Sequence, residues 1–306
     1  MASSMRLAAL KASKSTFQAV QTRGMATEKQ IYSQMISTKN IRKITASMKM
    51  VSAAKLRGDE NRLKAAIPFN QWTTAICGAP KLVEGATFDD LPQKTLIVPI
   101  TSDKGLCGGC NSFISKAVKL AAKNLEKQGK EFDIVSIGDR GRGQLQRLLA
   151  QKIKTSISFA SSPGTFALAA ALKGEVAAAG ASEYDAVMIV YNHYVNAVVY
   201  KQMYKIVKPF RGEGENEPMV QYEFEPETKH EILEDLYEYT LTCQLYHSFM
   251  DGACAEQSSR MSAMENATKN AGELIESLQL RYNRARQARI TTELIEIISG
   301  AAALEK

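Results

Sequence analysis

From Thr228 to Ala303 the sequence contains no proline, and its only glycines are Gly252, Gly272 and Gly300. A run of that length without a breaker reads as one helix. At about 1.5 Å per residue it is on the order of 100 Å long. No ordinary globular core is that wide. Within it Met264, Ala267, Ala271, Leu274, Leu278, Arg281, Ala285, Ala288, Thr292 and Ile295 are spaced alternately three and four residues apart. That is the spacing of a coiled-coil seam sustained over about four heptads. Several of these positions are alanine, so the partner helix is expected to approach closely.

A candidate partner lies at the other end of the chain. No proline occurs between residues 26 and 67, and the only glycine there is Gly58. Ile41, Ile44, Met48 and Val51 mark one helix face, and Pro68 is expected to end or kink the helix. Two terminal helices flanking a compact middle pair most economically as antiparallel neighbours. Their lengths differ: about 40 residues span about 60 Å, and the C-terminal helix is far longer. A stretch of the long helix therefore lacks an intramolecular partner. Its end carries Ile290, Leu294, Ile295, Ile297 and Ile298. An uncovered apolar stripe of that size is unusual on a monomer, so another protein is expected to cover it.

The middle of the chain has a different texture. Gly78, Pro80, Gly85 and Pro92 mark a connecting loop. "TLIVPI" (95–100), "FDIVSIG" (132–138), "YDAVMIVYN" (184–192) and "AVVYKQMYKIVKPF" (197–210) read as strands. Between them "FISKAVKLAAKNLEKQG" (113–129) is an amphipathic helix stopped by Gly129, "GQLQRLLAQ" begins a short helix, and "FALAAALKGEVAAAG" (166–180) is alanine-rich. This alternation predicts an α/β layer with a mainly parallel sheet. The last two strands are close enough for a hairpin, which makes that edge antiparallel. "RGEGENEPM" follows as a polar loop. The expected fold class is α/β plus a long antiparallel coiled coil. Helices over 26–68 and 228–306 form a shaft, and a Rossmann-like α/β domain with its connecting loops fills 69–227.

Charge is unevenly distributed. Residues 1–27 contain Arg6, Lys11, Lys14 and Arg23 and no acid; the first acid is Glu28. A basic, acid-free, serine-containing opening has the composition of an organelle transit peptide. It is expected over 1–25, with a mature start near Ala26. Without its four basic residues the net charge of +7 falls to +3, and nucleic-acid binding loses most of its support. No stretch reads as a transmembrane helix. The five cysteines at 77, 107, 110, 243 and 254 have no disulfide-framework spacing, which fits a reducing compartment.

Several motifs carry little chemistry. "GLCGGC" follows a strand and precedes a helix, as a phosphate loop would, but lacks the Gly-Lys-Ser/Thr ending. The glycines of "GDRGRG" stand in the wrong order for a dinucleotide fingerprint. Cys107 and Cys110 form a C-x-x-C at a strand-to-helix turn, a thioredoxin-like placement. This leaves a thiol oxidoreductase as one alternative function, and a freestanding coiled-coil adaptor as another. His193, His230 and His247 show no paired ligand spacing, so no metal or cofactor is expected.

The blocks "IRKITASMKMVSAAKLR" (41–57), "SDKGLCGG" (102–109) and "RMSAMENATKNAGELIESLQLRYNRARQARITTELIEIISGAAAL" (260–304) resemble the gamma subunits of F-type ATP synthases, in their mitochondrial form. The likeness covers essentially the whole chain after the basic opening. The redox-regulatory insertion of the chloroplast relatives is not visible. Cys107 belongs to the family block, whereas Cys110 departs from it.

The resemblance implies a central-stalk rotor with no catalytic residue of its own, coupling proton-driven rotation of the c-ring to conformational cycling of three catalytic beta subunits. Implied partners are the alpha and beta subunits, three of each, around the shaft, with delta and epsilon subunits and the c-ring at the foot. The implied location is the matrix side of the mitochondrial inner membrane, peripherally. Carried over by residue, Arg286, Gln287 and Thr291 are expected to meet beta subunits. Met48, Lys49, Arg260 and Glu296, with Gln287 nearby, are expected to form a shaft coupling cluster. Ile290, Leu294, Ile297 and Ile298 are expected to form an apolar bearing tip. Arg281, Arg284, Arg286 and Arg289, read without the resemblance, are a solvated face. At about 100° per residue they point in several directions, which suits a helix ringed by partners better than a single-sided contact.

Overall fold

The computed structural model describes residues 28–158, 164–210, 225 and 227–304. The expected transit peptide over 1–25 and the polar loop over 211–219 lie outside the described residues. The elements in chain order are α1 (Glu28–Cys77), β1 (Lys81–Leu82), β2 (Lys94–Pro99), α2 (Cys110–Lys127), β3 (Glu131–Ile137), α3 (Asp139–Leu149), β4 (Ile153–Ile157), α4 (Phe166–Ala178), β5 (Ala186–Tyr194), β6 (Tyr200–Val207) and α5 (Lys229–Leu304). The breaker-free C-terminal run is indeed one helix, of 76 residues. Two compact units emerge: one joins the chain up to residue 46 with the chain from 266, and the other comprises 47–265.

In the first unit α1 and α5 pair directly. Ile31, Met35 and Leu278 are buried together, with Ile275, Tyr282 and Ala285 packed against them. Thr268 Oγ1 donates to Thr45 Oγ1 at 2.8 Å, the Tyr32 and Tyr282 rings lie 5.8 Å apart, and Arg289 meets Glu28 at 2.8 Å. The seam on α5 therefore runs through Thr268, Ala271, Ile275, Leu278, Tyr282 and Ala285. Of the expected positions, Ala271, Leu278 and Ala285 hold. Leu274 and Arg281 are exposed, and Leu274 yields its place to Ile275, one residue on. One residue is about 100° of rotation, so these neighbours sit on the flank.

On α1 the expected face is outside. Ile41 and Ile44 are more than half exposed, while Thr38 and Thr45 are buried. Apolar content did not choose the inward face. Short hydroxyl side chains let two backbones approach, and each bonds locally: Thr38 Oγ1 to Gln34 O at 2.8 Å and Thr45 Oγ1 to Arg42 O at 3.1 Å.

The second unit holds the α/β layer. Among the described residues its strands form one six-stranded sheet in the order β1-β6-β5-β2-β3-β4. Strands β5, β2, β3 and β4 are parallel neighbours. β6 returns antiparallel along β5, with Val187 opposite Val207 and Tyr194 opposite Tyr200, as the short connection predicted. β2 is central, so Leu96, Ile97 and Val98 are wholly buried; a strand covered on both faces needs a continuous apolar run.

One face of the sheet packs on α2 and α3 through Ile114, Val118, Leu125 and Leu145. The other packs on α4, on Leu63 and Ala66 of α1, and on Tyr237, Leu241, Leu245 and Phe249 of α5. Two strands were not read from the sequence, β1 and β4. Both are short edge strands, and β4 is only half buried, so neither carries a strong apolar signal.

Pro68 does not end α1. The helix runs nine residues further, to Cys77, although proline removes one backbone donor. Tertiary contacts beyond it hold the last turns. Trp72 stacks on Tyr239 with centroids 5.5 Å apart, and the buried Thr73 hydroxyl accepts from Gln244 Nε2 at 2.8 Å.

Candidate functional site

Among the described residues, the pairing within the first unit ends at the Arg289–Glu28 contact. From Arg286 to Leu304 every residue of α5 is exposed. At about 100° per residue, Ile290, Leu294, Ile297 and Ile298 fall within an arc of about 100°. Arg286 lies on one flank of that stripe and Thr291 on the other, with Gln287 within it. All seven side chains therefore share one face about 140° wide. Thr291 Oγ1 donates to Gln287 O one turn back, at 3.0 Å, which satisfies the hydroxyl within the helix. Glu293 borders Arg286 at the edge of that face, and Arg289 and Glu296 lie further round; Arg289 Nε bonds Glu293 at 3.2 Å. The tip is thus amphipathic, with a contact face of aliphatic side chains accompanied by an arginine and two neutral polar groups. Such a face binds by apolar burial, which has no preferred direction.

Within the second unit, Lys49 and Arg260 of the expected cluster each have a partner of their own. Lys49 Nζ pairs with Glu265 Oε1 at 2.8 Å. Arg260 is buried and held by Glu256, by Gln257 Oε1 at 3.1 Å and by Gly105 O at 3.4 Å. Glu296 lies in the exposed tip. Glu265, Glu256 and Glu28, which pair with Lys49, Arg260 and Arg289, are the partners that the sequence reading missed. Glu256 stands one turn before Arg260, an i,i+4 spacing that the sequence does contain; Glu265 and Glu28 depend on the register of the two helices, which no local pattern contains. Because Lys49 and Glu265 are both well exposed, Lys49→Ala is expected to cost under about 1 kcal/mol. Urea denaturation of the variant checks this.

Among the described residues no group of three or more His, Cys, Asp or Glu could hold a metal ion, and no helix is long and apolar enough to cross a membrane.

The comparisons with known proteins agree with this geometry. A family model described as ATP synthase matches residues 27–304. The chain is 38% identical to the ATP synthase gamma chain of Paramagnetospirillum magneticum, covering 92% of this chain and 100% of that one. It is also 38% identical to the mitochondrial ATP synthase subunit gamma of Drosophila melanogaster, covering 96% of each. Among solved structures it matches a chain of the Tetrahymena thermophila mitochondrial ATP synthase central stalk and c-ring, with 31% identity, a TM-score of 0.59, and coverage of 73% and 99%. A chain of the Euglena gracilis mitochondrial ATP synthase shares the fold, with a TM-score of 0.73 over 90% and 94% at 21% identity. With a family model matching residues 27–304 and relatives 38% identical over nearly their whole length, the chain belongs to the ATP synthase gamma family.

Proposed function

We propose that this chain is the central-stalk rotor subunit of an F-type ATP synthase. It couples proton-driven rotation of the c-ring to the conformational cycle of three catalytic beta subunits and performs no catalysis itself. The observation that carries this reading is the bare amphipathic end of α5. A helix that exposes Ile290, Leu294, Ile297, Ile298 and Leu304 in one stretch requires a protein around it. Ile41 and Ile44 on the outward side of α1 extend the demand.

A rotor must form and break contacts with three sites in turn. Aliphatic contacts suit this because they hold no fixed partner geometry. Arg286, Gln287 and Thr291 add hydrogen bonds to beta subunits that exchange in a wet interface. The apolar stripe beside them serves as the bearing. Lys49 and Arg260 act separately, Lys49 through its exposed pair with Glu265 and Arg260 as a tie between α5 and the loop after β2. The partners are three alpha and three beta subunits at the tip, with delta and epsilon subunits and the c-ring at the α/β end. The site of action is the matrix face of the mitochondrial inner membrane, with peripheral attachment; the mitochondrial relatives support that location.

Purification of the tagged chain from mitochondria tests the assignment. Alpha and beta subunits are expected in equal amounts, each at three per copy of this chain; recovery of the chain alone or as a self-paired dimer would overturn it. For the contact residues, Arg286→Ala combined with Gln287→Ala is expected to lower proton pumping per ATP hydrolysed severalfold while leaving assembly intact. Unchanged coupling in inverted membrane vesicles would remove these two residues from the interface.

A further inference from the structure

The β5–β6 hairpin is fastened to both long helices by polar bonds near its tip. Tyr194, the last residue of β5, is bonded at each end. Its backbone N–H donates to Asp251 Oδ1 of α5 at 2.7 Å, and its phenol donates to Glu60 Oε1 of α1 at 2.5 Å. His193 Nδ1 lies 2.6 Å from the other Asp251 oxygen. Three residues beyond Tyr194, the Ala197 carbonyl accepts from Ser258 Oγ of α5 at 2.8 Å. All of these residues belong to the second unit. The turn between the strands is itself braced, because Asn196 Oδ1 accepts from Val198 N at 2.9 Å and from Val199 N at 2.8 Å. Its valines do not hold it down, since Val195 and Val198 are both exposed. Burial and the Glu60 bond raise the Tyr194 phenol well above the ordinary tyrosine value, so it stays protonated and donates.

Two kinds of contact therefore join the helices to the sheet. Leu63 and Ala66 of α1 and Leu241, Leu245 and Phe249 of α5 pack on it through apolar side chains. Apolar contact is non-directional, so it resists separation more than sliding. Hydrogen bonds weaken steeply as their distance or angle changes, and those to carboxylates are the stronger class. The hairpin bonds are of that directional kind, so they oppose rotation of α1 and α5 against the sheet. His193 and Ala197 meet α5, whereas Tyr194 meets both helices, one through its backbone and the other through its side chain.

We propose that the β5–β6 hairpin is the joint that carries torque between the α/β layer and the two long helices, with Tyr194 as the positioning residue that locks both helices to it. This rests on the rotor reading above. Turning force on the sheet reaches α5 through the Asp251 and Ser258 bonds and α1 through the Tyr194 phenol. Without the phenol bond the hairpin grips one helix instead of two, and the layer twists further under the same force. Loss of one hydroxyl leaves the apolar cluster buried, so it changes the stiffness of the joint far more than the assembly of the complex.

The test measures twist in the assembled complex of this chain with alpha and beta subunits. A bead is attached through Lys123→Cys on α2, an exposed position. The catalytic subunits are arrested with ADP and fluoroaluminate, and the variance of the bead's thermal angular fluctuations is recorded. Tyr194→Phe and Glu60→Leu are each expected to raise that variance about twofold, since one of the two helices loses its directional link. The double variant is expected to fluctuate no more than either single one, because both remove the same bond. Glu60→Gln keeps an acceptor oxygen and is expected to retain the wild-type variance. Lys81→Ala, which deletes an exposed ion pair within the α/β layer, is also expected to leave it unchanged. An unaltered variance in Tyr194→Phe, or increases that add in the double variant, would overturn the proposal. So would equal increases in Glu60→Gln and Glu60→Leu. If Tyr194→Phe fails to assemble, Ser258→Ala reads the α5 side of the joint, with the same expectation and the same refutation. Wild-type beads that never turn when ATP is added would instead overturn the rotor reading.

Discussion

Asp251→Ala is expected to cost about 3–5 kcal/mol of folding stability, because it strips the anion from a buried charged network. Asp251 lies on α5 with its side chain fully buried. One carboxylate oxygen meets His193 Nδ1 at 2.6 Å, and the other accepts the Tyr194 backbone N–H at 2.7 Å. Nearby, Lys205 is itself buried, with Nζ on Asn70 Oδ1 at 3.1 Å and 5.1 Å above the Tyr191 ring. Burial lowers Lys205 to about 7, against the pull of Asp251. Alanine would leave the Tyr194 donor unsatisfied and remove the nearest counter-charge from the histidine and the lysine.

The penalty has a predictable pH dependence. The hydrogen bond to Asp251 raises His193 above its usual 6.5. A raised histidine contributes stability that is fully present below about 6.5 and lost as pH rises through its folded value. Neutralisation of Lys205 above about 7 weakens the demand for an anion in the same direction. The difference between wild type and variant should therefore be largest in mild acid and shrink towards pH about 8.5. Urea titrations at several pH values measure it. A penalty below about 1 kcal/mol, or one that grows with pH, would mean that the network is not held by this carboxylate.

Gly138→Ala is expected to be at least as damaging, and to prevent accumulation of folded protein. Gly138 makes the turn from β3 into α3 at φ +98°, where any other residue is strained. A Cβ there would be driven into the Thr101 carbonyl, far inside van der Waals contact. That carbonyl has nowhere to go. Thr101 N donates to Ile137 O at 2.8 Å, and Gly138 N donates to Ile157 O at 2.8 Å. Thr101 Oγ1 bonds Ile137 O and accepts from Gly141 N at 3.0 Å. Three adjacent parallel strands are locked at this point. Gly143 provides the control, since nothing lies within 4 Å of its added Cβ. Gly143→Ala sits in a helix and should be neutral or stabilising by up to about 1 kcal/mol. Similar melting temperatures for the two variants would refute the backbone clash. The "GDRGRG" glycines thus serve strand-to-helix geometry at Gly138 and Gly141, which accounts for a motif that matched no nucleotide fingerprint.

Much of the architecture was readable without coordinates because its signals are local. The absence of breakers between Thr228 and Ala303 dictates a helix whatever surrounds it. The continuous apolar run at Leu96–Val98 dictates a doubly covered strand. The short link between "YDAVMIVYN" and "AVVYKQMYKIVKPF" dictates a hairpin. The tip residues were also accessible, since Arg286, Gln287, Ile290, Thr291, Leu294, Ile297 and Ile298 occupy one face of a helix by spacing alone. Even where the sequence reading put Leu274 and Arg281 in the seam, it had the right period.

Tertiary structure decided the phase. Spacing tells which residues share a face, but whether that face turns inward depends on what stands opposite. Thr45 faces inward because Thr268 meets it, and Ile44 is left outside. α1 outlasts Pro68 because Tyr239 and Gln244 of a segment some 170 residues away hold its last turns. Lys49 and Arg260 have different partners because Glu265 of α5 meets Lys49 across the helix pair, while Arg260 is held by Glu256 and the Gly105 carbonyl. Periodicity, composition and breaker placement are properties of neighbours along the chain, so sequence alone was enough for the long helices, the four strong strands, their order and the family, though not for the weak edge strands β1 and β4. Register, facing and side-chain partnership are properties of neighbours in space, so they exist only once distant segments have packed.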